Sequence, residues 1–166
     1  MTKPTNKHKN SRVRSRRGSA LAELGPALSI LLLMLFFPLV DALALGASYA
    51  SCMVLNYCQL REAAFCSRTE AQNENGPVRA GIPDTWQKEG LGQFVNLAEP
   101  VKTKVSYVDA GNPGSPGMQD QYVQVTTTIV ASPFMVVPVF PGIPGLGAPV
   151  KFQIATERLL ESSSKS

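Results

Sequence analysis

A chain of 166 residues has room for one small domain beside a single apolar segment. Its one histidine, His8, lies in a polar, basic run, which leaves a folded domain without imidazole for a catalytic dyad or a metal site. The formal charge of +4 conceals an asymmetry: residues 1–18 hold seven of the sixteen Lys and Arg and no acid, so the remainder carries nine basic against twelve acidic residues, net −3.

Residues 1–17 lack apolar periodicity and are expected to be disordered. A basic arm can bind nucleic acid, but no aromatic residues interleave these charges as stacking platforms would require. Beside an apolar segment, Lys and Arg more simply set orientation by remaining on the cytoplasmic side. The expectation is no nucleic-acid partner, a cytoplasmic leader, and an extracytoplasmic chain after about residue 47.

From Leu24 to Val40 the chain is apolar apart from Ser29; Asp41 interrupts, and Ala42 to Ala47 resumes the run. Counted past Asp41 this is about 24 residues, or about 36 Å of helix, against a bilayer core of about 30 Å. The segment is long enough to span. Pro26 suits the first turn of such a helix, where its missing donor costs little. Pro38 lies deeper and should kink or loosen it. Asp41 marks either the outer interface of a shorter span or a buried polar contact with another helix.

A helix is expected to continue from Ala47 to about Gln72, with Met53, Tyr57, Leu60 and Ala64 forming one apolar stripe. That stripe would pack on the protein's own globular part or face a partner helix. Asn73 to Pro77 then stops it. All three cysteines, Cys52, Cys58 and Cys66, fall on this segment. Along a continuous helix Cys52 and Cys58 stand about 9 Å apart and Cys58 and Cys66 about 12 Å, beyond the roughly 7 Å a disulfide tolerates. They remain thiols, or the helix breaks, or they bridge between subunits.

Residues 74–100 read as loop, with Trp86 and Phe94 as anchors of a small core. Val101 to Val108 alternates as a strand, and Tyr122 to Ala131, rich in β-branched residues, is the strongest strand signal. Ala110 to Asp120 between them is a turn or loop. Pro133 to Pro149 is apolar yet holds five Pro and three Gly, so it can be neither regular helix nor central strand. It covers its own core or meets a partner or a membrane surface. Val150 to Thr156 is a third strand and Glu157 begins a polar tail. The fold class expected is α+β: a long N-terminal helix packed on a small antiparallel sheet. The divisions are a leader (1–18), a transmembrane helix (19–47), a helical extension (48–73) and a β-rich extracytoplasmic domain (74–166).

The start of the apolar segment resembles a known family. Gly18-Ser19-Ala20-Leu21-Ala22-Glu23, after a short basic leader, looks like the processing site of type IV pilins: a Gly, then Glu at the fifth mature position. With Pro26, Pro38, Asp41 and the later Leu60-Arg61-Glu62-Ala63-Ala64, the chain is similar to TadE/TadG-like pseudopilins of tight-adherence (Tad/Flp) pili, from Arg16 to about Arg68. The resemblance implies cleavage by a prepilin peptidase between Gly18 and Ser19 and a single-pass protein of the inner membrane that takes part in pilus assembly for adherence. It implies other pilin-like subunits and the Tad assembly machinery as partners. Glu23 and Asp41 become candidate subunit contacts. In pilins the fifth-position Glu meets the amine freed on a neighbouring subunit; an acid in the first helical turn also simply complements the helix dipole.

No phosphate-binding loop, dinucleotide fingerprint, paired-cysteine metal site or nucleophile motif occurs in the sequence, so neither an enzyme nor a cofactor is expected. Two non-catalytic classes remain: the pilus-assembly subunit, and an extracytoplasmic binding module unrelated to pili, either anchored or released by a signal peptidase. Ala42-Leu43-Ala44 and Ala47-Ser48-Tyr49 offer small-residue cleavage sites, and Ala50-Ser51-Cys52 faintly resembles a lipoprotein cut.

Overall fold

The structure is a computed structural model that describes residues 17–111, 119–135 and 142–160. Most of the leader, the tip of the β1–β2 turn, the middle of the apolar Pro/Gly segment and the last six residues lie outside the described residues.

Helix α1 (Arg17–Leu31) runs into a π-helical stretch at Leu32–Phe36 and then into α2 (Phe37–Phe65). Pro26 lies ten residues into α1, not in a first turn as expected from sequence. Pro38 acts as predicted. It has no N–H for the carbonyl of Met34, and its ring would crowd that carbonyl in a regular helix. The preceding turn widens instead, with Phe37 N–H donating to the carbonyl of Leu32.

Sequence reading carried this helix without a break to about Gln72; it ends at Phe65. Cys66 and Ser67 are extended (ψ 158° and 152°), and α3 (Arg68–Gln72) starts afresh. Ser67 opens α3 with a capping box: its hydroxyl accepts from Glu70 N–H while the Glu70 side chain accepts from Ser67 N–H.

Residues 74–100 are more regular than their Gly and Pro content implied. A π turn at Pro77–Gly81, α4 (Ile82–Glu89) and a 3₁₀ turn at Leu91–Phe94 lead into the sheet. Trp86 is buried, as expected, but Phe94 is 85% exposed and anchors no core. Gly92 passes so close to Trp86 that a Cβ there would lie 2.5 Å from the indole.

Strands β1 (Leu97–Gly111), β2 (Gln119–Ala131) and β3 (Val150–Leu160) form an antiparallel sheet in the order β1-β2-β3. The α+β class holds, with the long helix packed on a three-stranded sheet. Each strand extends beyond its sequence signal: β1 starts before Val101 and β3 continues through Glu157 to Leu160. Pro100 is tolerated because β1 is an edge strand and the register slips between Glu99 and Lys102.

The sheet lies along α2. Val123 packs with Leu60 and Ala63, Asn56 bonds to Val125 and Thr127, and Ile129 and Ala131 pack with Cys52. β2 therefore runs antiparallel to the helix, and the β1–β2 turn is at the far end from α1. The β2–β3 connection points back toward the apolar half of the helix.

The buried face of α2 is not the predicted one. Met53 and Tyr57 are exposed, and of that stripe only Leu60 is buried, with Ala64 half-buried. The inward positions are Asp41, Ser48, Ser51, Cys52, Leu55, Asn56, Gln59, Leu60 and Ala63. Two apolar clusters result. Leu60, Ala63, Val78, Val105, Val123 and Val125 form one, and Cys52, Leu55, Trp86, Val95, Ile129 and Ala131 the other.

Between them lies a polar belt. Asn56 Nδ2 donates to the Val125 carbonyl (3.0 Å) and to Thr127 Oγ1 (2.9 Å), and Asn56 Oδ1 accepts from the Thr156 hydroxyl. The Thr127 hydroxyl donates onward to Gln59 Oε1 (2.6 Å), and Gln59 Nε2 donates to the Val78 carbonyl (2.8 Å) and Thr103 Oγ1 (2.7 Å). Asn56, Gln59, Thr103 and Thr127 are all buried, so each of these bonds offsets a desolvation cost. Gln59→Leu would strand the Val78 carbonyl and the Thr127 hydroxyl, and should destabilise the domain by about 1–3 kcal/mol. The expected readout is a melting temperature lowered by several degrees in detergent, with the far-UV spectrum of the folded state retained. Thr127→Val should have an effect of the same sign.

Candidate functional site

The functional residues read from sequence lie along one helix, and the structure separates them by environment. Gly18 and Ser19 are on the helical backbone near the start of α1, and Glu23, one turn on, is exposed. From Leu24 to Leu39, ten large apolar side chains stand 39–61% exposed. One continuous helical stretch, Glu23–Phe65, is long and apolar enough to cross a membrane, and only 6% of its most apolar 18-residue window is buried. A core helix of that composition would be covered. Covering the exposed half of ten such side chains is worth about 8–15 kcal/mol, taking half of about 1.5–3 kcal/mol for each, so this half of the helix is suited to an apolar environment.

Asp41 stands where the bare half ends. It is fully buried, and its contact is within the chain: Oδ1 accepts from Met135 N–H at 2.8 Å. The segment after β2 covers the carboxyl. Oδ2 is buried with no partner among the described residues.

One turn further along, Gly145 approaches the same helix. It adopts φ +88°, a backbone conformation that favours glycine, and a Cβ built there would lie 2.7 Å from Leu45 Cδ1, so a side chain would also displace the leucine methyl. The surrounding turn satisfies itself: the Ile143 carbonyl accepts from the amides of Leu146, Gly147 and Ala148, and Gly145 N–H donates to Ala148. At the start of the connection, Ser132 N–H donates to the Asn96 carbonyl at 2.7 Å. Tyr49 packs edge-on against Phe152 of β3, with ring centroids 5.6 Å apart.

The three cysteines are free thiols in three settings. Cys52 is fully buried against the sheet, and burial pushes its thiol up to about 11. A bridge from Cys52 to another subunit would first require opening the helix–sheet interface. Cys66 is half-buried at the break after α2. Burial raises its thiol, and the Glu62 carboxylate, 3.5 Å from Sγ, adds to the rise. Cys58 is exposed and opens onto a groove of about 750 Å³, lined by Val54, Glu62, Ile82, Trp86 and Leu91 among others. Among the described residues, no group of three or more His, Cys, Asp or Glu is placed to hold a metal ion.

Sequence reasoning missed Asn56, Gln59, Thr103 and Thr127. Their signal was present but weak: two amides three residues apart beside Leu55 and Leu60, and threonines at inward positions of two strands. It also missed the bond from Met135 to Asp41, since no local pattern links residues 94 positions apart. No family model, curated protein or solved structure matches this chain.

The thiol settings predict an order of alkylation. At pH 8, a group with a pKa near 11 is a thiolate about one part in a thousand of the time. Maleimide should therefore modify Cys58 first and Cys66 more slowly, and should reach Cys52 only after denaturation. Peptide mass mapping of timed samples reads this order. Early labelling of Cys52 would mean that the helix–sheet interface opens readily.

Proposed function

We propose that this chain is a pilin-like subunit of a tight-adherence pilus assembly system, held in the cytoplasmic membrane by its N-terminal helix and cut by a prepilin peptidase between Gly18 and Ser19. Its role is structural rather than catalytic. Its partners are the peptidase, other pilin-like subunits and the assembly machinery. The observation that carries the reading is a single helix with two environments: ten bare apolar side chains below Asp41, and a face packed on an antiparallel sheet above it. The first half suits a bilayer, and the second displays a small domain at its surface. The basic residues before Gly18 favour a cytoplasmic start.

The arrangement also weighs against release by signal peptidase. A cut after Ala44 would separate Asp41 from Met135, removing a contact that the folded domain makes with its own anchor.

N-terminal sequencing of protein from cells containing the cognate peptidase tests the reading, with Ser19 the expected mature start. Gly18→Leu or Gly18→Trp should abolish cleavage, because a side chain at this bond obstructs a tight peptidase cleft. Glu23→Ala should leave cleavage largely intact while removing the subunit from assembled pili. A start near Leu45 or at Cys52 would replace this proposal with the secreted or lipoprotein alternative. A periplasm-active reporter fused after Gln72 should give signal and a cytoplasm-active one none; the opposite result overturns the orientation.

A further inference from the structure

Resting on the reading of the helix as a membrane span, we propose that the described flanks of the β2–β3 connection, residues 132–135 and 142–149, form a collar that inserts into the outer-leaflet interface and sets how deeply the protein sits. Three observations place it there. The first is height. Counted from Leu24, a hydrocarbon core of about 30 Å takes about 20 helical residues and ends near residue 43. The two flanks touch the helix on either side of that level: Met135 N–H bonds to Asp41, and Gly145 abuts Leu45.

The second is chemistry. At this level the flanks present apolar side chains outward, with Phe134 70% and Ile143 45% exposed. No Lys, Arg, Asp or Glu occurs in residues 132–135 or 142–149. Their backbone groups are partly satisfied within the turn, as an interfacial segment needs, since the Ile143 carbonyl accepts three amides. The third is continuity. Exposed Leu39 and Leu43 of α2 alternate along the chain with Asp41 and Leu45, the two positions that the collar touches. Tyr49 of α2, about 9 Å above residue 43, packs against Phe152 of the edge strand β3, at a level where an aromatic residue suits the headgroup layer.

A lipid surface is the occupant these facts select. A soluble partner docking at this level would have to enter the headgroup layer, whereas lipid is already present there. The collar also accounts for Asp41. A carboxyl at the bilayer boundary would otherwise face acyl chains, and the Met135 segment covers it completely.

Power-saturation electron paramagnetic resonance on the full chain in phosphatidylcholine–phosphatidylglycerol vesicles tests the proposal. Spin labels are placed singly at F134C, I143C, L33C and Y57C, in a background with Cys58→Ser and Cys66→Ser. Label depth follows from accessibility to oxygen relative to a water-soluble nickel chelate. L33C should read as deep in the bilayer and Y57C as aqueous. F134C and I143C should lie between them, with nickel accessibility reduced at least several-fold relative to Y57C. Aqueous readings at both flanks, with L33C still deep, would overturn the collar and leave the span standing. An aqueous reading at L33C would overturn both. The flanks are labelled separately, so if one variant misfolds by circular dichroism the other decides.

Discussion

The register between helix and sheet depends on one buried chain of hydrogen bonds: Asn56 to Thr127, Thr127 to Gln59, and Gln59 to Thr103 and the Val78 carbonyl. The apolar clusters on either side hold the elements together but are nearly indifferent to sliding, since one aliphatic contact replaces another at little cost. The polar belt is not indifferent. Moving α2 by one turn, about 5.4 Å, would leave two buried amides and two buried hydroxyls without partners, at about 1–3 kcal/mol each. A marginally stable domain cannot absorb several such losses, so the belt selects a single alignment.

That alignment has consequences at a distance. Asn56 and Asp41 are fifteen residues apart, about 22 Å along the helix. Over the same length β2 runs from Thr127 to its end at Ala131, and the chain reaches Met135. With the belt fixed, Met135 N–H meets Asp41 and Gly145 meets Leu45. A sheet one turn higher would leave Asp41 uncovered, and one a turn lower would drive the Gly145 turn into Leu45. The contacts near the bare half of the helix are therefore set by hydrogen bonds in the middle of the domain.

What the sequence made legible follows from the range of each signal. The apolar run, the three strands, the disruption at Pro38 and the burial of Trp86 are local, and they could be read from composition and period. The face of α2 could not. Its inward positions include Asp41, Ser48, Asn56 and Gln59, which hydropathy assigns to solvent, while the exposed Met53 and Tyr57 mimic a core stripe. Asn56 and Gln59 are buried because strands more than forty positions away supply partners. The helix break at Ser67 had a readable signature, Ser67 with Glu70 three residues on, but the apolar pattern on both sides masked it. Residues 77–94 failed for the opposite reason: Gly and Pro suggested loop where prolines at helix starts are favourable.

The helix is thus one covalent object with two kinds of stabilisation. Above Asp41 its inward face is packed on its own domain, with Asn56 and Gln59 held by specific hydrogen bonds. Below Asp41 nothing in the described fold covers it, and its apolar side chains call for a non-specific apolar surround. The two regimes make opposite demands on a polar group, because the first can supply a partner for it and the second cannot. Asp41 sits at the change between them, and one of its two carboxylate oxygens is satisfied from the upper side, by an amide carried down on the β2–β3 connection. The widened turn at Leu32–Phe36 lies wholly in the lower regime, where irregular helical geometry disturbs no interdigitated core. Strain from Pro38 is therefore taken up in the half of the helix free of register constraints, and the half that carries the polar belt remains regular to Phe65.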